Sequence, residues 1–464
     1  MTNNKMDSIK MNIYHKLPLY FQNFAVTIEG RRLKKQRYSG NFQKYLIELE
    51  KSQWFSTKKL EKIQLIKLKK ILKHAYKNVP YYNKLFRKIN FNPEIKEIND
   101  LKKIPTLKKQ TLKKYKKEFI ATNIPSKELV PYPTGGTTGT PLNLYTTKDA
   151  IRYNFAYAEA RAKNWIGVKS GDRLATFLGK IIVLPERQKP PFWRNNKAYN
   201  QLLFSSFHLN KKNSTFYIKQ FNDFEPTIVQ GYPSIIHQFA KYILSQNKKI
   251  YQPKAILVSS ETLFDQQKKD IEKAFDAPVY NSYSLAEFVV YVSQCEEGKL
   301  HISPEYGVVE LIPIKENNKY EIVATTLFNY AMPLIRYETK DIVTASEKKI
   351  CPCGRQLPII NSIEGRMDSM LRNEHGSYVS PASMSLVFQS LNNIKESQII
   401  QNENDEIIVE IVKEINFKKK DTVNLIQQLK QRLGQNMKIN IIFVNKIKRT
   451  TSGKFQFIIS NISK

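Results

Sequence analysis

The sequence predicts an α/β protein in which a large domain with doubly wound mixed sheets precedes a small α+β domain. Strand-like and helix-like segments alternate with short turns between residues 227 and 283, which is typical of a parallel sheet covered by helices. Residues 305–345 alternate apolar and polar side chains, as antiparallel strands do. A separate strand, helix and strand follow at 406–412, 421–433 and 438–444.

The length and composition indicate a multidomain globular protein. A chain of 464 residues exceeds the usual size of one core, and a hydrophobic content of 41% is sufficient to form several cores. No stretch approaches the roughly 18 consecutive apolar residues of a membrane span. The first residues lack the apolar segment of a secretory signal. We therefore expect a cytoplasmic protein.

The formal net charge is +34, from 75 basic and 41 acidic side chains. Such an excess attracts anionic membrane surfaces and polyanions. Lysine is nevertheless spread along the whole chain, so a compositional bias is the favoured explanation. Attraction to a membrane surface or an anionic substrate is the alternative, and we do not expect nucleic-acid binding. The apolar run at 17–21 in the basic N-terminal region can lie on a membrane surface, although packing within the protein is favoured.

The first 120 residues are predicted to be a mainly helical, basic part of the large domain, and residues 121–365 are predicted to be its core. Apolar residues at helical spacing predict a helix over 58–76, which Pro80 ends. A second helix is predicted over 148–165, with Gly167 as its stop. The proline-rich segment 185–200 is predicted to be a loop.

A stretch rich in glycine and threonine, residues 133–141, is suited to hold phosphate oxygens. Glycines allow the backbone to approach a ligand closely, and hydroxyls and successive N–H groups can point at anionic oxygen. No Gly-Lys-Ser/Thr sequence closes the stretch, so it is not a Walker A loop. A plain surface turn is the alternative. The candidate ligands are Thr134, Gly135, Gly136, Thr137, Thr138 and Gly139.

Polar residues follow two of the predicted parallel strands, at 259–261 and 282–287. Ligands of such sheets bind beyond the carboxyl ends of the strands. Residues 365–368 form a plausible linker before the small domain, which ends in the polar loop 449–454. Lys454 beside a Ser-Gly pair is suited to neutralise phosphate charge, and a solvated surface lysine is the alternative.

The three cysteines of the chain fall in two loops. Cys295 and His301 lie six residues apart, and Cys351 and Cys353 follow some fifty residues later. Three thiols and one imidazole are a ligand set of structural zinc. Four protein ligands would leave no open coordination position, so we expect a structural site. Unrelated buried cysteines are the alternative.

The order of these motifs over residues 50–464, with the fold pattern between them, resembles that of the adenylate-forming superfamily, which includes acyl-CoA synthetases, luciferases and peptide-synthetase adenylation domains. The loop at 133–141 resembles its phosphate loop, 283–287 its Tyr-Gly-x-Thr-Glu motif, and 336–341 its Tyr-Arg-Thr-Gly-Asp motif. Residues 365–368 resemble its hinge motif and 449–454 its lysine loop. The segments 74–82 and 333–337 are typical of phenylacetate-CoA ligases. The basic N-terminus resembles members linked to capsule and surface-polysaccharide synthesis.

The resemblance implies ATP-dependent activation of a small-molecule carboxylic acid through an acyl-adenylate, with release of pyrophosphate and transfer to CoA. It also implies the role of each matching residue. The 134–140 loop would hold pyrophosphate, Glu287 would bind Mg²⁺, and Tyr283 would flank the adenine or the substrate. Asp341 would accept hydrogen bonds from the ribose hydroxyls with Arg366 assisting, and Lys454 would bridge carboxylate and phosphate. Asp368, in the hinge 366–368, would let the mobile domain 369–464 rotate. Further nucleotide contacts are expected from Ser260, Glu261 and Ser282, and an acid pocket from Gly231, Tyr232 and Pro233. The resemblance thus makes residues 121–365 the nucleotide- and acid-binding core of the large domain.

This chain departs from the superfamily pattern at several motif positions. Lys340 replaces the glycine expected before the ribose aspartate, and Ser284 and Ala286 replace the glycine and threonine before Glu287. Two other functions stay open. One is a ligase that passes the acyl group to an amine or a sugar hydroxyl. The other is a non-catalytic basic protein that binds anionic polymer or membrane. The acid is not indicated, and a monomer and a homodimer are both possible.

Overall fold

Strands and helices alternate through most of the chain in the computed structural model. The structure describes residues 13–462 except 135–141, 180, 185, 316–317, 349, 367–368, 377, 380, 390, 392 and 451–452. The α-helices of these residues are α1 (Leu19–Tyr38), α2 (Phe42–Ser52), α3 (Thr57–Asn78), α4 (Pro80–Lys88), α5 (Lys109–Lys114), α6 (Lys148–Tyr157), α7 (Ser214–Phe224), α8 (Pro233–Gln246), α9 (Asp265–Phe275), α10 (Pro381–Gln389) and α11 (Lys419–Leu433).

The strands of the described residues are given in two groups, those before residue 367 and those after it. The larger group is β1 (Val130–Pro133), β2 (Asn143–Thr146), β3 (Leu174–Leu178), β4 (Trp193–Asn196), β5 (Gln201–Ser205), β6 (Ile228–Gly231), β7 (Ala255–Ser259), β8 (Val279–Ser284), β9 (Tyr291–Gln294), β10 (Leu300–Ile302), β11 (Gly307–Pro313), β12 (Lys319–Thr326), β13 (Tyr337–Ala345) and β14 (Ile359–Arg366). The smaller group is β15 (Leu371–Arg372), β16 (Tyr378–Val379), β17 (Ile394–Glu403), β18 (Glu406–Lys413), β19 (Lys438–Phe443) and β20 (Ile458–Ser460).

The first of two compact units comprises residues 1–52, 148–282 and the short turn 294–298. Its strands follow the order β8–β7–β6–β3–β5–β4, parallel except for the edge strand β4. Side chains of α7, α8 and α9 pack against this sheet in a core rich in phenylalanine, including Phe177, Phe221, Phe239 and Phe275. The predicted alternation of parallel strands and helices is confirmed.

The second unit comprises residues 53–147, 283–293 and 299–464. Its larger sheet follows the order β11–β12–β13–β14–β10–β9, and the neighbours from β11 to β10 pair antiparallel. Helices α3 and α4 bury Leu68, Leu72 and Phe86 in the core of this unit. The antiparallel strands predicted over 305–345 and the helix predicted over 58–76 are both present.

The C-terminal part of the second unit forms a four-stranded sheet in the order β19–β18–β17–β20. The pair β17–β18 is antiparallel, and β19 and β20 join parallel to their neighbours. Leu425, Leu429 and Leu433 of α11 are fully buried against this sheet. The predicted α/β class with a small α+β C-terminal domain is therefore confirmed.

Two local predictions need correction. The segment 185–200 is not simply a loop, because β4 pairs antiparallel with β5 within it. The helix predicted over 148–165 ends as α6 at Tyr157 and continues as a π-helix, Ala158–Lys163. The predicted stop at Gly167 is confirmed by its left-handed backbone, with φ of 69°.

The bounds of the N-terminal helix α1 were not predicted, and the expected packing of the apolar run 17–21 is wrong for Tyr20 and Phe21, which are exposed. The buried positions of α1 are Gln22, Thr27 and Gly30. Because none of them has an apolar side chain, α1 lacks the apolar stripe facing the core that is typical of a surface helix. No helix of the described residues is long and apolar enough to cross a bilayer.

Candidate active site

The pairing of β13 with β14 places a carboxylate opposite a guanidinium. In the antiparallel register Asp341 faces Arg366, the last residue of β14. The Arg366 Nε lies 3.4 Å from the Asp341 Oδ1, and the Asp341 side chain is only 6% exposed. The carboxylate is thus held by strand pairing, and its charge is balanced.

A tyrosine at the end of β8 completes the shell around this carboxylate. The Tyr283 hydroxyl donates a hydrogen bond of 2.7 Å to the Asp341 Oδ2. Burial, together with the neighbouring Asp341 charge, raises the pKa of Tyr283 well above its ordinary value. Tyr283 therefore stays a neutral donor that orients Asp341.

Glu287 is a second buried carboxylate of the same cluster. The Tyr337 hydroxyl donates to its Oε1 at 3.3 Å. Burial raises the pKa of Glu287, and the nearby Asp341 charge adds to this, whereas the Arg366 charge lowers it. Burial alone would lower the pKa of Arg366, but attraction to Asp341 and Glu287 outweighs it and the net pKa is raised. A divalent cation bound by Glu287 would stabilise its ionised form.

Lys109 was not predicted as a site residue, although the charges of Arg366 and Glu287 act on it. The backbone of Leu107 pairs with β13, because its N–H donates to the Arg336 carbonyl at 2.8 Å and its carbonyl accepts from Glu338 at 3.0 Å. This pairing brings Lys109, at the start of α5, into electrostatic contact with Arg366 and Glu287. Burial lowers the pKa of Lys109, and the Arg366 charge lowers it further. Only the long-range strand pairing reveals this residue.

Arg336 opens the predicted ribose motif, yet its side chain has a structural role. Its guanidinium forms two hydrogen bonds of 2.9 Å to the Glu310 carboxylate and donates to the backbone carbonyls of Lys102 and Ile104. Such a bidentate ion pair is geometrically specific. Arg336 therefore ties β11 and the segment before Leu107 to the start of β13.

The lysine at the motif's glycine position has a left-handed backbone. Lys340 has φ of 63°, a conformation that favours glycine because it carries no Cβ. Its ammonium pairs with Glu338 at 2.8 Å and with Glu321 at 3.3 Å. Lys340 thus keeps the left-handed backbone that a glycine would adopt, at an irregularity in the pairing of β13 with β12 directly before Asp341.

The predicted phosphate loop is framed by the β1–β2 hairpin. The Thr134 N–H donates to the Leu142 carbonyl at 2.9 Å, and the Thr134 hydroxyl accepts from the Leu142 N–H at 2.9 Å. Thr134 therefore closes the base of the loop. The other predicted loop residues, Gly135, Gly136, Thr137, Thr138 and Gly139, and the predicted hinge residue Asp368 lie outside the described residues.

The backbone of Lys454 is fixed by hydrogen bonds to Thr450. The Lys454 N–H donates to the Thr450 hydroxyl and its carbonyl accepts from the Thr450 N–H, both at 3.0 Å. Gly453, with φ of 77°, donates to the Thr450 carbonyl at 2.8 Å. These contacts hold the backbone of Lys454 close to that of Thr450.

The other predicted nucleotide contacts and the predicted acid pocket belong to the first unit. Ser282 pairs with Ser259 at the carboxyl ends of β8 and β7, and Ser260 has a left-handed backbone with φ of 72°. The Glu261 carboxylate accepts from the Ser234 N–H at 3.1 Å. It therefore caps the start of α8.

The predicted acid-pocket residues lie between β6 and α8. A Cβ on Gly231 would lie 2.2 Å from the Phe177 carbonyl oxygen, so close approach of β6 to β3 requires glycine there. Burial raises the pKa of Tyr232, and the nearby Glu261 charge adds to this. Pro233 is the first residue of α8, where its missing N–H costs nothing.

The four predicted metal ligands come together. The ligand atoms of Cys295, His301, Cys351 and Cys353 all lie within 4.8 Å of one another. The Cys353 Sγ lies 3.6 Å from the His301 Nε2, close to the spacing of about 3.5–3.8 Å between ligands of a tetrahedral zinc. The cysteines form no disulfide. This donor set fits zinc.

The two cysteine loops have the same turn. The N–H of Gly298 donates to the Cys295 carbonyl at 2.9 Å, and that of Gly354 to the Cys351 carbonyl at 3.1 Å. Both glycines have left-handed backbones. The His301 Nδ1 lies 3.4 Å from the Leu357 carbonyl, a contact that leaves Nε2 facing Cys353 as a ligand.

Comparison with known proteins places the chain in a family. A model of the CapK C-terminal domain matches residues 371–461. Protein CapK of Staphylococcus aureus is 31% identical over 453 residues, which cover 97% of this chain and 99% of the relative.

The chain belongs to the CapK family.

More distant relatives share part of this CapK-family chain. Phenylacetate-coenzyme A ligase of Thermus thermophilus is 24% identical over 330 residues, covering 68% of this chain and 72% of the relative. A crystal structure of 2-hydroxyisobutyryl-CoA ligase in the postadenylation state, in complex with R3-HIB-AMP, matches with a TM-score of 0.68 and 18% identity. The match covers 88% of this chain and 90% of that chain. This CapK-family member therefore has the fold of adenylate-forming ligases.

The left-handed backbone at Lys340 should make the stability of the protein sensitive to the residue at this position. Lys340→Gly and Lys340→Val both remove the ion pairs, but only valine adds a β-branched side chain at positive φ. We expect Lys340→Val to unfold at a lower temperature than Lys340→Gly, by a free-energy difference of about 1–2 kcal/mol. Thermal unfolding by circular dichroism measures this, with Lys340→Met as the control for loss of charge alone. Equal midpoints for the glycine and valine variants would contradict a left-handed backbone at this position.

Proposed function

We propose that this protein activates a carboxylic acid with ATP and Mg²⁺ to an acyl-adenylate, and then transfers the acyl group to CoA. One observation carries the proposal. Tyr283, Glu287, Asp341 and Arg366, which come from motifs far apart in the sequence, converge in one cluster. The similarity to ligases that form acyl-adenylates supports the same reading.

In the first step a carboxylate oxygen of the acid attacks the α-phosphorus of ATP, and the bond to the β-phosphate oxygen breaks to release pyrophosphate. Glu287 would hold Mg²⁺ beside the phosphates, because carboxylate oxygen is the ligand this cation prefers. Asp341, oriented by Tyr283 and Arg366, would accept hydrogen bonds from the ribose hydroxyls. Lys454 would neutralise the charge that develops between carboxylate and phosphate.

Lys109 adds a cation to this scheme. It lies two residues after Leu107, which bridges to Tyr337 of β13, and the charges of Arg366 and Glu287 act on it. This placement supports a contact with the phosphates. The loop 134–140 would hold the departing pyrophosphate. In the first unit, Ser260, Glu261 and Ser282 would contribute nucleotide contacts, and Gly231, Tyr232 and Pro233 would line the acid pocket.

In the second step a CoA thiolate attacks the acyl carbon and AMP leaves. Rotation of the small domain about Asp368 would exchange Lys454 for a surface that admits CoA. The similarity to CoA ligases favours CoA as the acceptor. The resemblance to the capsule-associated branch supports a role in polysaccharide synthesis, in which an amine or a sugar hydroxyl is the alternative acceptor.

The partial reaction provides the direct test. ATP–pyrophosphate exchange is measured with aryl, fatty, hydroxy and amino acids, and we expect exchange that depends on Mg²⁺ and on one class of acid. Lys454→Ala should lower kcat by about 100-fold or more because it removes transition-state charge stabilisation. Asp341→Asn should mainly raise KM for ATP, by about 10-fold or more. Asp405→Asn, an exposed aspartate of the small domain, is the matched control and should leave exchange unchanged.

The other outcomes distinguish the rival functions. Exchange with no CoA-dependent release of AMP, but with release stimulated by an amine or a sugar, would favour the alternative acceptor. Absence of exchange with every acid would favour a non-catalytic protein that uses its charge of +34 to bind an anionic surface. Full exchange by Lys454→Ala would contradict the assigned role of this lysine.

We further propose that Cys295, His301, Cys351 and Cys353 bind one structural zinc ion. The paired turns, the burial of Cys295, His301 and Cys351 and the ligand spacing support this assignment. Four protein ligands leave no position for substrate.

Zinc analysis with unfolding measurements tests this proposal. We expect about one zinc per chain in the native protein, and loss of the metal with a lower unfolding temperature in Cys351→Ser and His301→Ala. His375→Ala is the matched control, because His375 is exposed with 78% of its side chain accessible, and it should keep the metal. Native zinc content in Cys351→Ser and His301→Ala would exclude the site.

A further inference from the structure

The outward face of α1 has an apolar half and a cationic half. In the first half Tyr20, Phe21, Phe24 and Ile28 are exposed, with 77% of Tyr20 and 54% of Phe24 accessible. Positions 20, 24 and 28 recur every four residues and therefore lie on one side of the helix. A surface helix normally turns its apolar side chains towards the core. The orientation of α1 is inverted, because its aromatic side chains face outward.

Polar contacts fix this inverted orientation. The Gln22 side chain accepts hydrogen bonds from the buried Arg194 guanidinium, and the Thr27 hydroxyl accepts from the Lys197 N–H at 3.2 Å. A Cβ on Gly30 would lie 2.3 Å from the Asn196 side-chain oxygen, so a larger residue there would have to displace the Asn196 side chain. Rotating α1 to bury its aromatic residues would break these contacts, and their exposure is therefore built into the fold.

The second half of the same face is basic. Arg31, Lys34 and Lys35 line an open cleft of about 450 Å³ together with Tyr38 and Ala198. Positions 31 and 35 continue the side of the helix on which Phe24 and Ile28 lie. The face thus passes directly from aromatic to cationic side chains.

The segment before α1 and a loop that it contacts also expose apolar side chains. The Tyr14 hydroxyl donates to the Ile182 carbonyl at 2.9 Å, which holds the segment before α1 against residues 181–184. Ile13, Ile181 and Leu184 in these two segments are exposed. We call the exposed residues Ile13, Tyr20, Phe21, Phe24, Ile28, Ile181 and Leu184, with Arg31, Lys34 and Lys35, the α1 surface.

We propose that the α1 surface binds the headgroup layer of an anionic phospholipid bilayer. Apolar side chains would enter the boundary between headgroups and acyl chains, and the adjacent cations would contact lipid phosphates. The net charge of +34 attracts the whole chain to such a surface. This binding is peripheral, and it does not depend on the catalytic proposal.

A second copy of the chain fits the α1 surface less well. A twofold contact with antiparallel helices would set the aromatic half of one copy on the cationic half of the other. A contact with parallel helices would oppose like charges. An anionic bilayer, in contrast, offers apolar and negatively charged groups to both halves at once.

Vesicle co-sedimentation of the full-length chain tests the proposal. The native protein should bind vesicles of phosphatidylglycerol and phosphatidylethanolamine and not vesicles of phosphatidylcholine alone. The combined change Phe21→Ser, Phe24→Ser and Ile28→Ser leaves the net charge unaltered and should lower binding by about tenfold or more. The matched control Ile415→Ser with Val423→Ser removes exposed apolar side chains of the small domain and should bind as the native protein does.

A charge series separates local from overall attraction. Arg31→Gln, Lys34→Gln and Lys35→Gln together should weaken binding more than Lys418→Gln, Lys419→Gln and Lys420→Gln, which remove the same charge from an exposed segment of the small domain. Unchanged unfolding temperatures establish that both sets fold. Native binding by the serine variant would overturn the proposal. So would a native dimer, seen by light scattering, that the serine variant dissociates while no vesicles are bound.

Discussion

The candidate active site depends on the antiparallel register of β13 with β14. That register sets Asp341 opposite Arg366, and the ion pair then offers the Asp341 carboxylate to Tyr283 from β8. A one-residue slip between the strands would turn one of the two side chains to the opposite face of the sheet. The left-handed backbone at Lys340 and the anchoring of Arg336 to Glu310 both act on the strand that carries Asp341.

Buried charge in this cluster is compensated rather than avoided. Glu287 and Asp341 are nearly inaccessible, and two buried carboxylates would be costly without nearby cations. Arg366 supplies one positive charge and Lys109 a second. Burial still raises the pKa of Glu287, so a divalent cation at this carboxylate would further stabilise its ionised form.

Elements whose residues follow a regular apolar pattern could be predicted from the sequence. The parallel strands β6 and β7, helix α3 and the cysteine cluster were predicted because each leaves a local signal of period or spacing. The bounds of helix α1 could not be predicted from the sequence, since its buried positions are polar or glycine. The site residue Lys109 was also missed, because its position follows from pairing of Leu107 with residues more than two hundred positions away. The structural role of Arg336 likewise becomes visible only with its partner Glu310.

We propose that Asp341 recognises the ribose of a nucleotide, and the stability of the protein in the presence of two nucleotides tests this role most directly. ATP and 2′,3′-dideoxy-ATP, each with Mg²⁺, differ only in the two hydroxyls that Asp341 would bind. A ligand that binds the folded state raises the unfolding temperature according to its affinity. We predict a clearly larger rise with ATP for the native protein, and equal, small rises for Asp341→Asn. Equal stabilisation of the native protein by both nucleotides would contradict the account.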